Sequence, residues 1–144
     1  MFGLFKKHDV HLSPTVSGKL SNGDTPLKGI VVTRSLTYDN EKIDTAVTDE
    51  QGHFSFPAIS TTSRSPNSPL HEARIRQIIS TEINESTYVL WYNTSFGIKE
   101  HTAINNLLSR LQCDINNKEL SFEEPSIEFP NTTHYIHSIC RWPK

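Results

Sequence analysis

What the chain lacks sets its first limits. No apolar run among its 144 residues approaches the ~20 needed to cross a bilayer as a helix, so no membrane span is expected. No excess of positive charge is present either. Lys plus Arg is 14 against 16 for Asp plus Glu, a formal charge of −2, which argues against direct nucleic-acid binding because phosphate contacts need clustered cations. A secretory leader would put its positive charges first and follow them with an apolar run. Here Phe2–Phe5 come first and Lys6 and Lys7 follow, so the expectation is no signal peptide and a cytoplasmic protein. The same segment could serve as a short amphipathic anchor, though a flexible or edge-packed terminus is the simpler expectation. Cysteine is nearly absent: Cys113 and Cys140 are expected reduced and buried in a cytosolic protein, and bonded only if the protein is exported. Alanine is scarce, which tilts the chain away from helix.

What is present favours strands and turns. Seven Phe, four Tyr and two Trp are enough aromatic material for a core, so the chain is not a disordered tail. Ser, Thr and Asn are plentiful. Val16, Gly18 and Leu20 alternate with polar residues, the period of a strand. Asn22-Gly23-Asp24 marks a turn, Gly29–Tyr38 is rich in β-branched residues, and Asp39-Asn40-Glu41 marks the next turn. Thr45–Thr48 reads as a short strand, Asp49–Gly52 as a reversal, and His53–Phe56 as a strand with Phe54 and Phe56 on one face. Residues 60–70 read as a long Ser/Thr/Pro loop, and 1–12 as an N-terminal extension of a single domain spanning 1–144. Residues 72–83 fit both helix and strand, with strand favoured because a hairpin onto Thr87–Tyr92 satisfies both segments. Residues 102–111 fit a helix, while Leu107–Ile115 fits a strand instead. His134–Trp142 closes the chain as a strand. The sum is a mainly β fold with at most one short helix, a sandwich of about seven strands.

Between Val16 and Phe56 the chain reads Val16-Ser-Gly18, Gly23-Asp-Thr-Pro26-Leu27, Gly29-Ile-Val-Val32 and Thr45-Ala-Val-Thr48-Asp49-Glu50-Gln51-Gly52-His-Phe54. This pattern resembles the carboxypeptidase regulatory-like domains, which have the transthyretin-like (prealbumin) fold. The whole chain resembles a group of small stand-alone bacterial proteins built on that domain. The shared features are the opening Phe-Lys-Lys…His-Leu-Ser-Pro14, Arg34-Ser-Leu-Thr-Tyr38, Arg74-Ile-Arg-Gln77, Tyr88-Val-Leu-Trp91, Cys113 and Cys140-Arg-Trp142. The resemblance implies a seven-stranded Greek-key sandwich and no catalytic act. Hydroxyisourate hydrolases share the fold but end in Tyr-Arg-Gly-Ser. This chain ends Cys140-Arg-Trp-Pro-Lys144, so that activity is not expected.

No phosphate loop, serine elbow or zinc spacing appears, so no cofactor and no catalytic residue is expected. His8-x-x-His11 and His134-x-x-His137 are the close histidine pairs, but positions i and i+3 of a strand face opposite ways, so no metal site is expected. Cys113 or Cys140 with His137 could be drawn as a nucleophile pair, yet nothing beside either cysteine lowers its pKa. If their strands pair, packing or a disulfide is the better reading. The carboxylates Glu119, Glu123, Glu124 and Glu128 are gathered in one segment, a solvated face or a negative patch for a basic partner. Trp91, Tyr92, Phe96 and Trp142 are candidate aromatic anchors for a partner, or core.

These features point to a binding protein without chemistry. The concrete expectation is a bacterial immunity protein that neutralises a cognate toxin delivered by a type VI or contact-dependent secretion apparatus, such as a nuclease acting in the cytosol. The alternative is a structural or carbohydrate-binding module of the cell envelope, which predicts export and a Cys113–Cys140 disulfide. An enzyme would instead need a deep pocket with convergent polar groups.

Overall fold

The computed structural model describes residues 6–68 and 72–143. Along the chain run β1 (His8–Ser13), β2 (Val16–Asn22), β3 (Thr25–Pro26), β4 (Val31–Tyr38), β5 (Asn40–Val47), β6 (His53–Phe56) and β7 (Ile59–Ser63). A 3₁₀ turn over Ser65–Asn67 follows. Then come β8 (Arg74–Ile83), β9 (Ser86–Phe96), α1 (Thr102–Leu108), β10 (Leu111–Asp114), β11 (Leu120–Pro125), β12 (Thr133–Ser138) and β13 (Cys140–Arg141). The protein is mainly β, with one α-helix among the described residues.

Six strands form one sheet in the order β11-β12-β9-β8-β4-β5, all antiparallel. Five form another, β13-β10-β2-β3, with β6 also paired to β2. Its β10–β2 pairing is parallel, and α1 carries the chain from one sheet to the other between β9 and β10. A two-stranded sheet joins β1 to β7.

Local chemistry explains the reversals. Asp39 closes the β4–β5 hairpin at φ 59, and Asn84 and Glu85 close β8–β9 at φ 50 and 68, the left-handed pair that a two-residue hairpin needs. Asp49 accepts backbone N–H bonds from Gln51 and His53, each at 2.9 Å, and those bonds hold its carboxyl below the ordinary range. Gly52 stands at φ 79, where an added Cβ would run into the Leu20 carbonyl.

The two large sheets share one core. Val16, Leu20, Phe54, Phe56, Leu111 and Cys113 come from the five-stranded sheet, and Val32, Ile79, Leu90, Trp91 and Ile136 from the six-stranded one. Ile104, Leu107 and Leu108 of α1 plug the gap between them. Each such side chain contributes about 1.5–3 kcal/mol on leaving water. A smaller cluster of Val10, Leu12, Leu36, Tyr38 and Ile75 lies under β1. Arg34 joins the layers. Fully enclosed, it donates to Asp44 through Nε at 2.9 Å and Nη2 at 2.6 Å, and to the Ser13 hydroxyl at 3.2 Å, while its guanidinium stands 4.8 Å from the centre of the Phe56 ring.

Several expectations need correction. Among the described residues there are thirteen strands where about seven were expected. The N-terminal extension contains β1, and the Ser/Thr/Pro loop contains β7. Neither segment has a strong apolar alternation, and each becomes a strand by pairing with the other. The acidic segment supplies β11, which pairs with β12. The closing strand breaks at Ile139, whose N–H bonds to Val89 instead. Both readings of residues 102–115 hold in succession, as α1 and then β10. Residues 72–83 are strand from Arg74. Cys113 and Cys140 lie directly opposite each other on β10 and β13 and are joined as a disulfide, the form expected of an exported protein. The N-terminal anchor residues Phe2, Leu4 and Phe5, with the loop residues Pro69 and Leu70, lie outside the described residues.

Candidate interaction surface

Strand alternation gives each large sheet one inward and one outward face. On the six-stranded sheet the outward positions carry Val31 of β4, Ile43 and Val47 of β5, Tyr92 and Phe96 of β9, and Tyr135 of β12. All six are exposed, Ile43, Val47 and Tyr135 by 61%, 61% and 63%. The register sets Val31 beside Val47, Phe96 beside Arg74 and Glu123 beside Tyr135. The Arg74 guanidinium stands 5.6 Å from the centre of the Phe96 ring, and Tyr92 meets His137 edge-on at 5.6 Å. Arg74, Arg76 and Glu82 of β8 and Glu41 of β5 face the same way, so these apolar groups stand among charges. Apolar groups gathered on one exposed face mark interaction surfaces far more often than the same residues scattered singly.

The five-stranded sheet presents the opposite chemistry. Across its outer face one register row runs His53, Lys19, Gln112 and Arg141, flanked by Ser17, Ser21 and Asp114. A depression of about 360 Å³ on this face holds Lys19 and Arg141 together with Asp24 and Asp114, so its charges balance. Arg141 is folded onto the carbonyls of Lys118, Ile139 and Cys140.

The four carboxylates do not converge. Glu119 precedes β11, Glu123 points outward, Glu124 points to the opposite side of the strand, and Glu128 is tied to Thr102 through its backbone N–H and hydroxyl. The Thr102 bonds hold the Glu128 carboxyl below its ordinary value. The aromatic candidates divide as well. Trp91 is 0% exposed and belongs to the core. Trp142 is half-buried, packs against Trp91 and Phe122, and donates its indole N–H to the Leu107 carbonyl at 2.9 Å. Tyr92 and Phe96 reach the surface together.

Sequence reasoning missed Tyr135 as an anchor, although its alternation with buried Ile136 was visible. It also missed a histidine contact with no sequence signal, since the partners lie 33 positions apart. His101 and His134 meet edge-on at 4.9 Å, and His11 stands close enough to His101 to feel its charge. Burial first, and His101 second, push His134 below the ordinary imidazole value. Burial likewise lowers His11. Above these rings a cavity of about 420 Å³ opens between the end of β9 and the β11–β12 connection, walled by Phe96, Phe129 and Tyr135. It adjoins the apolar face through Phe96 and Tyr135. The close pairs separate as their spacing requires: His134 is buried on the inner side of β12, and His137 bonds Ser121 on the outer side.

Fold and surface together define a mainly β protein whose exposed large apolar side chains gather on the outer side of the six-stranded sheet and whose five-stranded sheet has a polar outer face. The profile of the family described as a domain of unknown function (DUF6795) matches residues 16–118, and the chain belongs to that family. No curated protein and no solved structure matches it. The matched span runs from β2 through β10, so Tyr135 and the β11 side of the apolar face lie beyond it.

Proposed function

We propose that this protein is a non-enzymatic protein-binding module, an immunity protein that neutralises a cognate toxin delivered by a type VI or contact-dependent apparatus. The observation that carries the reading is the exposed apolar face of Val31, Ile43, Val47, Tyr92, Phe96 and Tyr135. Rigid aromatic groups on a sheet are anchors that a partner surface can bury at little entropic cost. The face supports contact through packing more than an acidic plug, because Glu119, Glu123, Glu124 and Glu128 diverge. The architecture proposed with it is a Greek-key β-sandwich of the transthyretin-like, carboxypeptidase regulatory-like kind, supported by the strand rhythm from Val16 to Phe56 and by the core the two sheets share.

The test is binding to the C-terminal domain of a large toxin encoded beside this gene. Complex formation and loss of toxicity are expected, and no complex with that domain removes the proposal. The bonded pair Cys113–Cys140 favours a second reading, an exported cell-envelope module, because disulfides persist in oxidising compartments. Thiol titration of protein taken from its native compartment separates the two. Two free thiols remove the exported reading, and none removes the cytoplasmic placement.

A further inference from the structure

The β5 edge of the six-stranded sheet is long, regular and open. All eight of its residues pair with β4 without a register shift, and among the described residues no strand pairs with its other side. Proteins usually blunt such an edge with proline, a bulge, a short strand or charged side chains, because its free N–H and C=O groups template another strand. Of these devices Asn40–Val47 carries only charge, in Glu41, Lys42 and Asp44. What is present is a pattern of charge that complements itself.

We infer that the β5 edge pairs antiparallel with β5 of a second copy of this chain, about a two-fold axis through Ile43. Two copies joined this way must keep their apolar faces on the same side, which admits only registers that shift in steps of two. With Ile43 opposite its own copy, Lys42 lies opposite Asp44 of the partner subunit, twice by symmetry, and Glu41 lies opposite Thr45 of the partner subunit. Sliding one step one way sets Lys42 against Lys42 of the partner subunit. Sliding one step the other way sets Asp44 against Asp44 of the partner subunit. Like charges directly opposite are unfavourable and unlike ones favourable, so the register centred on Ile43 is selected. Among the described residues Lys42 has no hydrogen-bond or ion-pair partner to give up. Asp44 keeps its bonds to Arg34 and accepts Lys42 of the partner subunit as a second cation. Ile43 is exposed in the single chain and meets its own copy across the axis, and the interface is isologous as a closed dimer requires. The joint leaves the Tyr92–Phe96–Tyr135 end of the face open in both copies, so it does not depend on the toxin-binding reading.

Sedimentation equilibrium of the full chain over a range of concentrations tests this. A reversible dimer is expected, weakened about tenfold or more by Lys42→Glu, which turns both attractions into repulsions. Register is read separately by cross-linking. Ile43→Cys is expected to form a covalent dimer on oxidation and Glu41→Cys is not, since only position 43 faces its own copy. A wild-type chain that stays monomeric at all concentrations overturns the inference. So does a dimer indifferent to Lys42→Glu, or equal cross-linking at the two positions.

Discussion

The two large sheets are built from the same alternation of inward and outward side chains, and their outer faces differ in the large apolar groups they expose. One exposes Val31, Ile43, Val47, Tyr92, Phe96 and Tyr135. The other exposes Lys19, His53, Gln112 and Arg141 in a register row, with serines around them. Their inward faces are alike, aliphatic and aromatic, because both must fill one core. Folding therefore constrains the inner positions and leaves the outer ones free. The polar face is what solubility alone asks for. The apolar groups of the other face cost solubility, and the proposed partner would bury them.

Arg34 is enclosed where β4, β1 and β6 meet, and Asp44 is its carboxylate. Asp44→Ala leaves that charge buried and unpaired, with an expected loss of about 3–5 kcal/mol in a denaturant titration. A loss under about 1 kcal/mol means that water reaches Arg34 and the layers are looser than described.

Phe96→Asp combined with Tyr135→Asp is expected to weaken partner binding at least about a hundredfold, as loss of central aromatic anchors does. Lys19→Glu combined with Gln112→Glu on the other face is expected to change it by less than about threefold. Both pairs leave stability within roughly 0.5 kcal/mol per exposed site, measured by the same titration. The reverse ranking assigns the interface to the polar face.

The smallest effect sharpens where the apolar face meets the histidine contact. His11 and His134 have folded pKa values below the ordinary 6.5, so protonation favours the unfolded chain. Their contribution is fully present above that value and is lost as pH falls below it toward their folded values. Stability measured against pH is therefore expected to start falling on the acid side of 6.5. Asp49, Asp114 and Glu128 add a second decline lower down, since their lowered pKa values are lost on protonation. His134→Phe is expected to flatten the first decline and leave the second. An unchanged first decline places its origin elsewhere.

Much of this was legible beforehand where the signal is local. The alternation in Val16–Leu20, the Gly52 reversal and the strand at His53–Phe56 stand as read, because period and turn chemistry act within a few residues. The outward position of Tyr135 and the inward one of Ile136 follow from the same period. β1, β7 and β11 were not legible, because each is an edge or a short pairing whose hydrogen-bond partner lies far along the chain or in a segment without alternation. Of the candidate site, Tyr92 and Phe96 held their place at the surface, and Trp91 did not. A bulge between Ile79 and Ser80 shifts the register of β9, so that Leu90 and Trp91 both turn inward.

The class of the fold, the turns and the alternation of each strand follow from neighbours one to four residues away. Which outward residues share a face, the meeting of Cys113 with Cys140 and of His101 with His134, and the open edge of β5 appear only once the strands are arranged. Those facts depend on strand order, and strand order is set by how the whole chain buries one core.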